Sequence, residues 1–156
     1  MFKGLLLAVF DFAGAQADES PTGTTWSMCR NGRRFPDSST WSGDETPTLA
    51  IASYDLGSTD VMNTPVYQAV AVESVSIWTK RIAGKTNRLM RFEGRQFRPG
   101  DAAAPSGADG LLVASMNIDP GVEAEFAECY DTEHLPQLSA VAGVRSGSRY
   151  RAAAAS

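Results

Sequence analysis

Apolar residues fall in short blocks separated by polar, Gly- and Pro-bearing stretches. Gly4 to Phe12 (G-L-L-L-A-V-F-D-F) is almost continuously apolar, the pattern of a strand covered on both faces. Gly110 to Ile118 (G-L-L-V-A-S-M-N-I) repeats it; Gly4 answers to Gly110, an offset of 106 residues. Thr48 to Leu56 reads as a strand, and so does Lys85 to Phe97, with Gly94 as a bulge. Asp60 to Glu73 and Ser76 to Ile82 read as helix, interrupted around Pro65 and at Ser74-Val75-Ser76. Pro99 to Gly110 has the composition of a linker. A last strand is expected over Val144–Ala152, where Arg145, Arg149 and Arg151 alternate with Val144, Ser148 and Tyr150.

The longest helical signal runs from Asp119 to Gly143. Asp119 is a good N-cap, and Pro120 suits the first helical position, where its missing N–H costs nothing. Val122, Phe126, Tyr130, His134 and Leu138 follow at i+4 steps, with Val141 on the same side. Glu123, Glu125, Glu128, Asp131 and Gln137 lie largely off that stripe. His134, the single histidine, is thereby expected on the buried side, one turn from Tyr130 and i+3 from Asp131. Pro136 should kink the helix near Leu135, and Gly143 should stop it.

The repeat organises the chain into a first unit over residues 1–98, a linker over 99–109 and a partial second unit over 110–156. The first unit reads β-α-β-β-α-β, with its first helix in doubt. The second reads β-α-β, so about a quarter of a two-copy protein is expected to be missing. Lost strands would leave open sheet edges that invite association. Residues 18–43 are anomalous: rich in Ser, Thr, Gly and Arg, without a clear period, and holding Trp26 and Trp41. Trp26-Ser27-Met28-Cys29-Arg30 can be coded TGG AGC ATG TGC CGG. One base back, those codons read L-E-H-V-P, and the histidine so produced falls at position 28, the equivalent of His134 one repeat earlier. Two readings stand: a base lost near Ser20 with the frame restored near Gly43, or a genuine loop-like insertion. The codons across residues 18 to 45 decide between them.

Composition narrows the field. At 156 residues with 43% hydrophobic side chains, the chain can bury a core. A net charge of −4 argues against a general affinity for nucleic acid. No apolar run reaches membrane-spanning length, so no membrane partner is expected. Met1 to Ala17 superficially resembles a signal peptide, but Asp11 interrupts its apolar core and the basic region is one lysine. A buried strand and a cytoplasmic location are the expectation. Cys29 and Cys129, far apart and without a CxxC, make neither a disulfide scaffold nor a zinc site.

The run Phe126…Cys129-Tyr130-Asp131-x-Glu133-His134-x-Pro136…Val141-x-Gly143 resembles the EthD-like branch of the dimeric α+β barrel superfamily. There the run is typically F-x-x-W-Y-D-x-E-H-x-P, followed by P-G and an arginine-bearing strand. Cys129 stands where Trp is usual, and Ala142 where Pro is usual. The resemblance implies an α+β fold of ferredoxin-like units whose sheets face one another as a barrel, from two chains or, in tandem proteins, from one. The expected assembly is a homodimer or an intrachain pseudo-dimer. Relatives include cofactor-free oxygenases, cyclases, isomerases and decarboxylases acting on small, often aromatic molecules. No cofactor or metal is expected.

Within that frame His134 is the leading acid or base, since a neutral imidazole exchanges protons near neutral pH. Asp131 can orient it, and Tyr130 can bond a substrate oxygen. Arg149 can bind a carboxylate or enolate oxygen, as can Arg145 and Arg151, and Phe126 is expected beside the substrate. The competing readings are a ligand-binding or structural barrel without catalysis and a damaged, inactive gene product; in them His134 and Tyr130 are half-buried packing residues, the carboxylates a solvated face and the arginines a guarded edge. Cys129 is expected as a small buried hydrophobe. Tyr54, Tyr67, Trp78, Phe92 and Phe97 are either a pocket lining or core.

Overall fold

The computed structural model describes residues 4–12, 38–42, 45–46, 48–69, 71, 77–99 and 109–153. The anomalous stretch lies largely outside these residues, as do Trp26, Cys29 and most of the linker. Five strands form one antiparallel sheet: β1 (Gly4–Asp11), β2 (Ser38–Ser42), β3 (Leu49–Leu56), β4 (Asn87–Arg98) and β5 (Arg149–Ala152), in the order β2-β3-β1-β4-β5. With its helices this is a mixed α+β fold.

The near-continuous apolar run of β1 has the cause expected of it. It is the central strand, paired with β3 on one side and β4 on the other. Leu6 and Ala8 point to one face and Leu7 to the other, and all three are buried. On the first face Leu6, Leu56 and Met62 form a cluster, with Tyr54 and Tyr67 packed against it. Beyond the end of β1, Phe12 and Ala50 are buried with Phe10 against them. Tyr54 and Tyr67 are therefore core side chains.

Among the described residues three short helical pieces lie between β3 and β4, where the hydrophobic period predicts two interrupted helices. A 3-10 turn over Thr59–Asn63 is capped by Ser58, whose hydroxyl accepts from the Asp60 N–H at 3.1 Å. Helix α1 (Pro65–Gln68) starts at the proline expected to interrupt it. Thr64 caps it, accepting from the Tyr67 N–H at 3.3 Å. Helix α2 (Ile77–Ala83) follows.

Several expectations are corrected. Ser38–Ser42 is a strand in register with β3, within a stretch whose composition shows no strand period. Gly94 is not the bulge: it pairs with Leu5 on one side and Ala152 on the other. The extra residues of β4 are Leu89, skipped between Val9 and Phe10, and Phe97, skipped between Tyr150 and Arg149. Gly94 is a close approach instead. A Cβ there would sit 2.3 Å from Cε1 of Phe92 and 3.1 Å from the Tyr150 Cβ. Gly110–Ile118 forms no ladder among the described residues, and Leu112 is 86% exposed. Composition fits it to a central strand, but a strand exists only where neighbours complete its hydrogen bonds. The last strand is shorter than expected, Arg149–Ala152 rather than Val144–Ala152.

Candidate functional site

The residues after Pro120 form α3 (Glu123–Cys129), a wide turn over Tyr130–His134, and α4 (Leu135–Ser139). Asp119 is not the cap of α3. Its Oδ1 accepts from the Gly121 N–H at 2.7 Å in the preceding turn, and Val122 occupies the cap position without a side-chain bond. Gly143, with a φ of 95°, takes a left-handed conformation that a Cβ would strain, four residues past the end of α4.

The wide turn decides where the motif points. The Leu135 N–H donates to the Tyr130 carbonyl, five residues back instead of four. Pro136 explains it: the ring has no N–H for the Thr132 carbonyl and crowds it. The added residue rotates the following face. Phe126, Ala127, Tyr130 and Asp131 are half-buried, and then Leu135 and Leu138 rather than His134. His134 is exposed, a correction to the buried stripe, and Cys129 is exposed too, not a buried hydrophobe. The expected kink at Pro136 is taken up as this widened turn.

The half-buried face lies on the β4–β5 edge. The bulge brings Phe97 and Arg98 together opposite Arg149. Arg149 is the centre of the cluster, its side chain 12% exposed. Its guanidinium lies 4.7 Å from the Phe97 ring centre, 4.7 Å from that of Tyr130 and 5.8 Å from that of Phe126. Its Nη1 donates to Oδ1 of Asp131 and, at 3.4 Å, to the Ala127 carbonyl. The other Asp131 oxygen, Oδ2, accepts from Nε of Arg98 at 2.9 Å. The Arg98 hydrogen bond, reinforced by Arg149, holds the Asp131 carboxyl below the usual carboxylate range, against the opposing effect of burial. Next along the strand, Arg151 donates to Oε1 of Glu123 at 2.5 Å.

Aromatic rings continue the cluster outward. Phe126 and Tyr130 have ring centres 5.3 Å apart, and Tyr130 and His134 4.6 Å. On the other side of Asp131 lies a cleft of about 430 Å³ lined by Arg98, Pro99, Asp131, Thr132, Leu135, Pro136, Ser139 and Gly147.

The five residues singled out from the sequence thus meet, in an arrangement that differs from the one expected. Tyr130 touches His134, Phe126 and Arg149. Asp131 spends its two oxygens on Arg149 and Arg98 rather than on His134. Arg149 lies close to three aromatic rings and is engaged at Nη1, a half-buried clamp more than an exposed fork. The sequence marks Phe97 only as a pocket or core aromatic and gives Arg98 no role. Their one sequence signal is the position next to Pro99, where a strand ends. Phe92 packs over Gly94, away from this cluster.

No protein-family profile, curated protein or solved structure matches this chain.

Proposed function

We propose that the chain is a ferredoxin-like unit followed by part of a second, of the EthD-like, dimeric α+β barrel kind. Its proposed work is proton-transfer chemistry on a small apolar or aromatic compound, as in an isomerase, cyclase, decarboxylase or cofactor-free oxygenase. The observation that carries this reading is the Tyr130 ring, with a histidine and a shielded arginine both against it. His134 is the acid or base and is open to a substrate. The Tyr130 hydroxyl bonds the substrate oxygen. Arg149 is a fixed positive charge near where an enolate would form, and Asp131 and Phe126 are positioning residues that hold it. The strand order β2-β3-β1-β4, all antiparallel with helix between β3 and β4, supports the unit topology. Addition of β5 to β4 supports a sheet that runs on from one unit into the next. Homodimeric or pseudo-dimeric assembly and a cytoplasmic location belong to the same proposal. Among the described residues no helix is long and apolar enough to cross a membrane.

Deuterium uptake tests the chemistry. In D2O the protein is expected to accelerate exchange at the acidic carbon of 2-tetralone, an apolar aromatic ketone. His134→Ala should lose about a hundredfold of that acceleration. A folded His134→Ala protein that exchanges at the parental rate removes His134 from the mechanism.

One observation favours a second reading, a barrel that binds ligands without catalysis. Asp131 is committed to two arginines, and the imidazole packs against the Tyr130 ring. That reading predicts 2-tetralone binding with no exchange above background.

A further inference from the structure

We infer that the cleft on the other side of Asp131 is an anion site for a small apolar or aromatic monocarboxylic acid, with Arg98 as its anchor. This goes beyond the chemistry assigned to His134 and does not depend on it.

A guanidinium carries five N–H groups in a planar fork. Arg98 places Nε on Asp131, at 2.9 Å. Among the described residues its two terminal nitrogens make no hydrogen bond, and its side chain is 59% exposed while Asp131 is 19% exposed. The end of the fork is the geometry that takes a carboxylate with two parallel bonds. Charge points the same way. Asp131 supplies one negative charge to Arg98 and Arg149 together, and the neighbouring Arg151 is balanced by Glu123. Among these described pairs one positive charge is left over beside the cleft, in a chain whose net charge is −4.

The walls define the rest of the ligand. Pro99, Leu135, Pro136 and Gly147 are apolar, and the volume of about 430 Å³ suits one ring with a short substituent. Ser139 lines the same cleft, and the Thr132 hydroxyl already donates to the Glu128 carbonyl at 2.8 Å. A dianion would meet Asp131 with its second charge, which limits the class to monoacids.

Benzoate and its neutral isostere benzamide are the probes, titrated into the whole chain at fixed ionic strength by calorimetry. Benzoate is expected to bind at least tenfold more tightly than benzamide. Arg98→Gln, a change at an exposed side chain, should abolish that preference. Asp131→Asn should raise benzoate affinity, because it removes the competing carboxylate. Equal affinity for the two probes, a preference that survives Arg98→Gln, or no benzoate binding at 20 mM overturns the proposal (order-of-magnitude expectations from charge-assisted bonding, about tenfold). If Asp131→Asn does not fold, the Arg98→Gln comparison alone decides.

Discussion

At the residue scale, Asp131 carries the most consequence. Its folded pKa lies below its unfolded value, so the stability it adds is present above about pH 4 and is lost as pH falls through the folded value. Asp131→Asn should therefore be less stable than the parent at pH 7, by about 1–3 kcal/mol, because Arg149 loses a charged partner inside the protein. The gap should close as pH falls through the folded value, where the parent carboxyl is itself protonated. Thermal melts of both proteins between pH 7 and 2.5 check this, and a gap independent of pH would show that the ion pair is not its source. Seen from the sequence, Asp131 faced His134 at i+3. Nothing in residue types told that the arginines of a strand and a strand end would claim it first. Long-range ion pairs depend on which edge the helix lies against, and that is set by tertiary packing. Gln96 makes the same point. It is 1% exposed, its Nε2 donates to Ser148 Oγ at 3.2 Å, and nothing in the sequence marks it as buried.

At the element scale, period and punctuation located β1, β3 and β4 within a few residues, and the helical stretch from α3 to α4 within about four at each end. The misses have physical causes. Ser38–Ser42 is polar in composition and is held as a strand by its pairing with β3. Gly110–Ile118 has the composition of a central strand and no neighbours among the described residues to make it one. The wide turn at Tyr130–His134 turns on one residue, Pro136, whose effect on register exceeds the kink expected of it. Gly94, expected as a bulge, is paired in register on both sides, and its role is room for Phe92. Gly94→Ala should cost about 1–3 kcal/mol by overpacking. Phe92→Leu in the same chain should recover part of it, since a shorter side chain frees the space. Chemical denaturation of the single and double variants measures this. An alanine tolerated without loss would mean that the Phe92 ring moves aside freely.

At the scale of the whole molecule, one antiparallel sheet carries both parts of the chain. The repeat reading places β1 to β4 in the first unit and β5 in the second, and β5 completes the edge of the first. Exposed apolar side chains gather in the second part: Leu111, Leu112, Val113, Met116, Val122, Val141 and Val144. Under the barrel proposal these would meet further strands or a second copy. The site sits where the two parts join, with Phe97 and Arg98 from one and Phe126, Tyr130, Asp131, His134 and Arg149 from the other. The central claim is that this junction receives a small apolar or aromatic compound beside His134. Because the chain holds one histidine, its imidazole Hε1 gives a single proton resonance. Titration with 2-tetralone, followed by that resonance, tests the claim most directly. A saturable shift in the parent protein, weakened when Tyr130→Ala removes the adjoining ring, is the result predicted. A resonance that stays fixed while 2-tetralone is added to saturation of its solubility would contradict it.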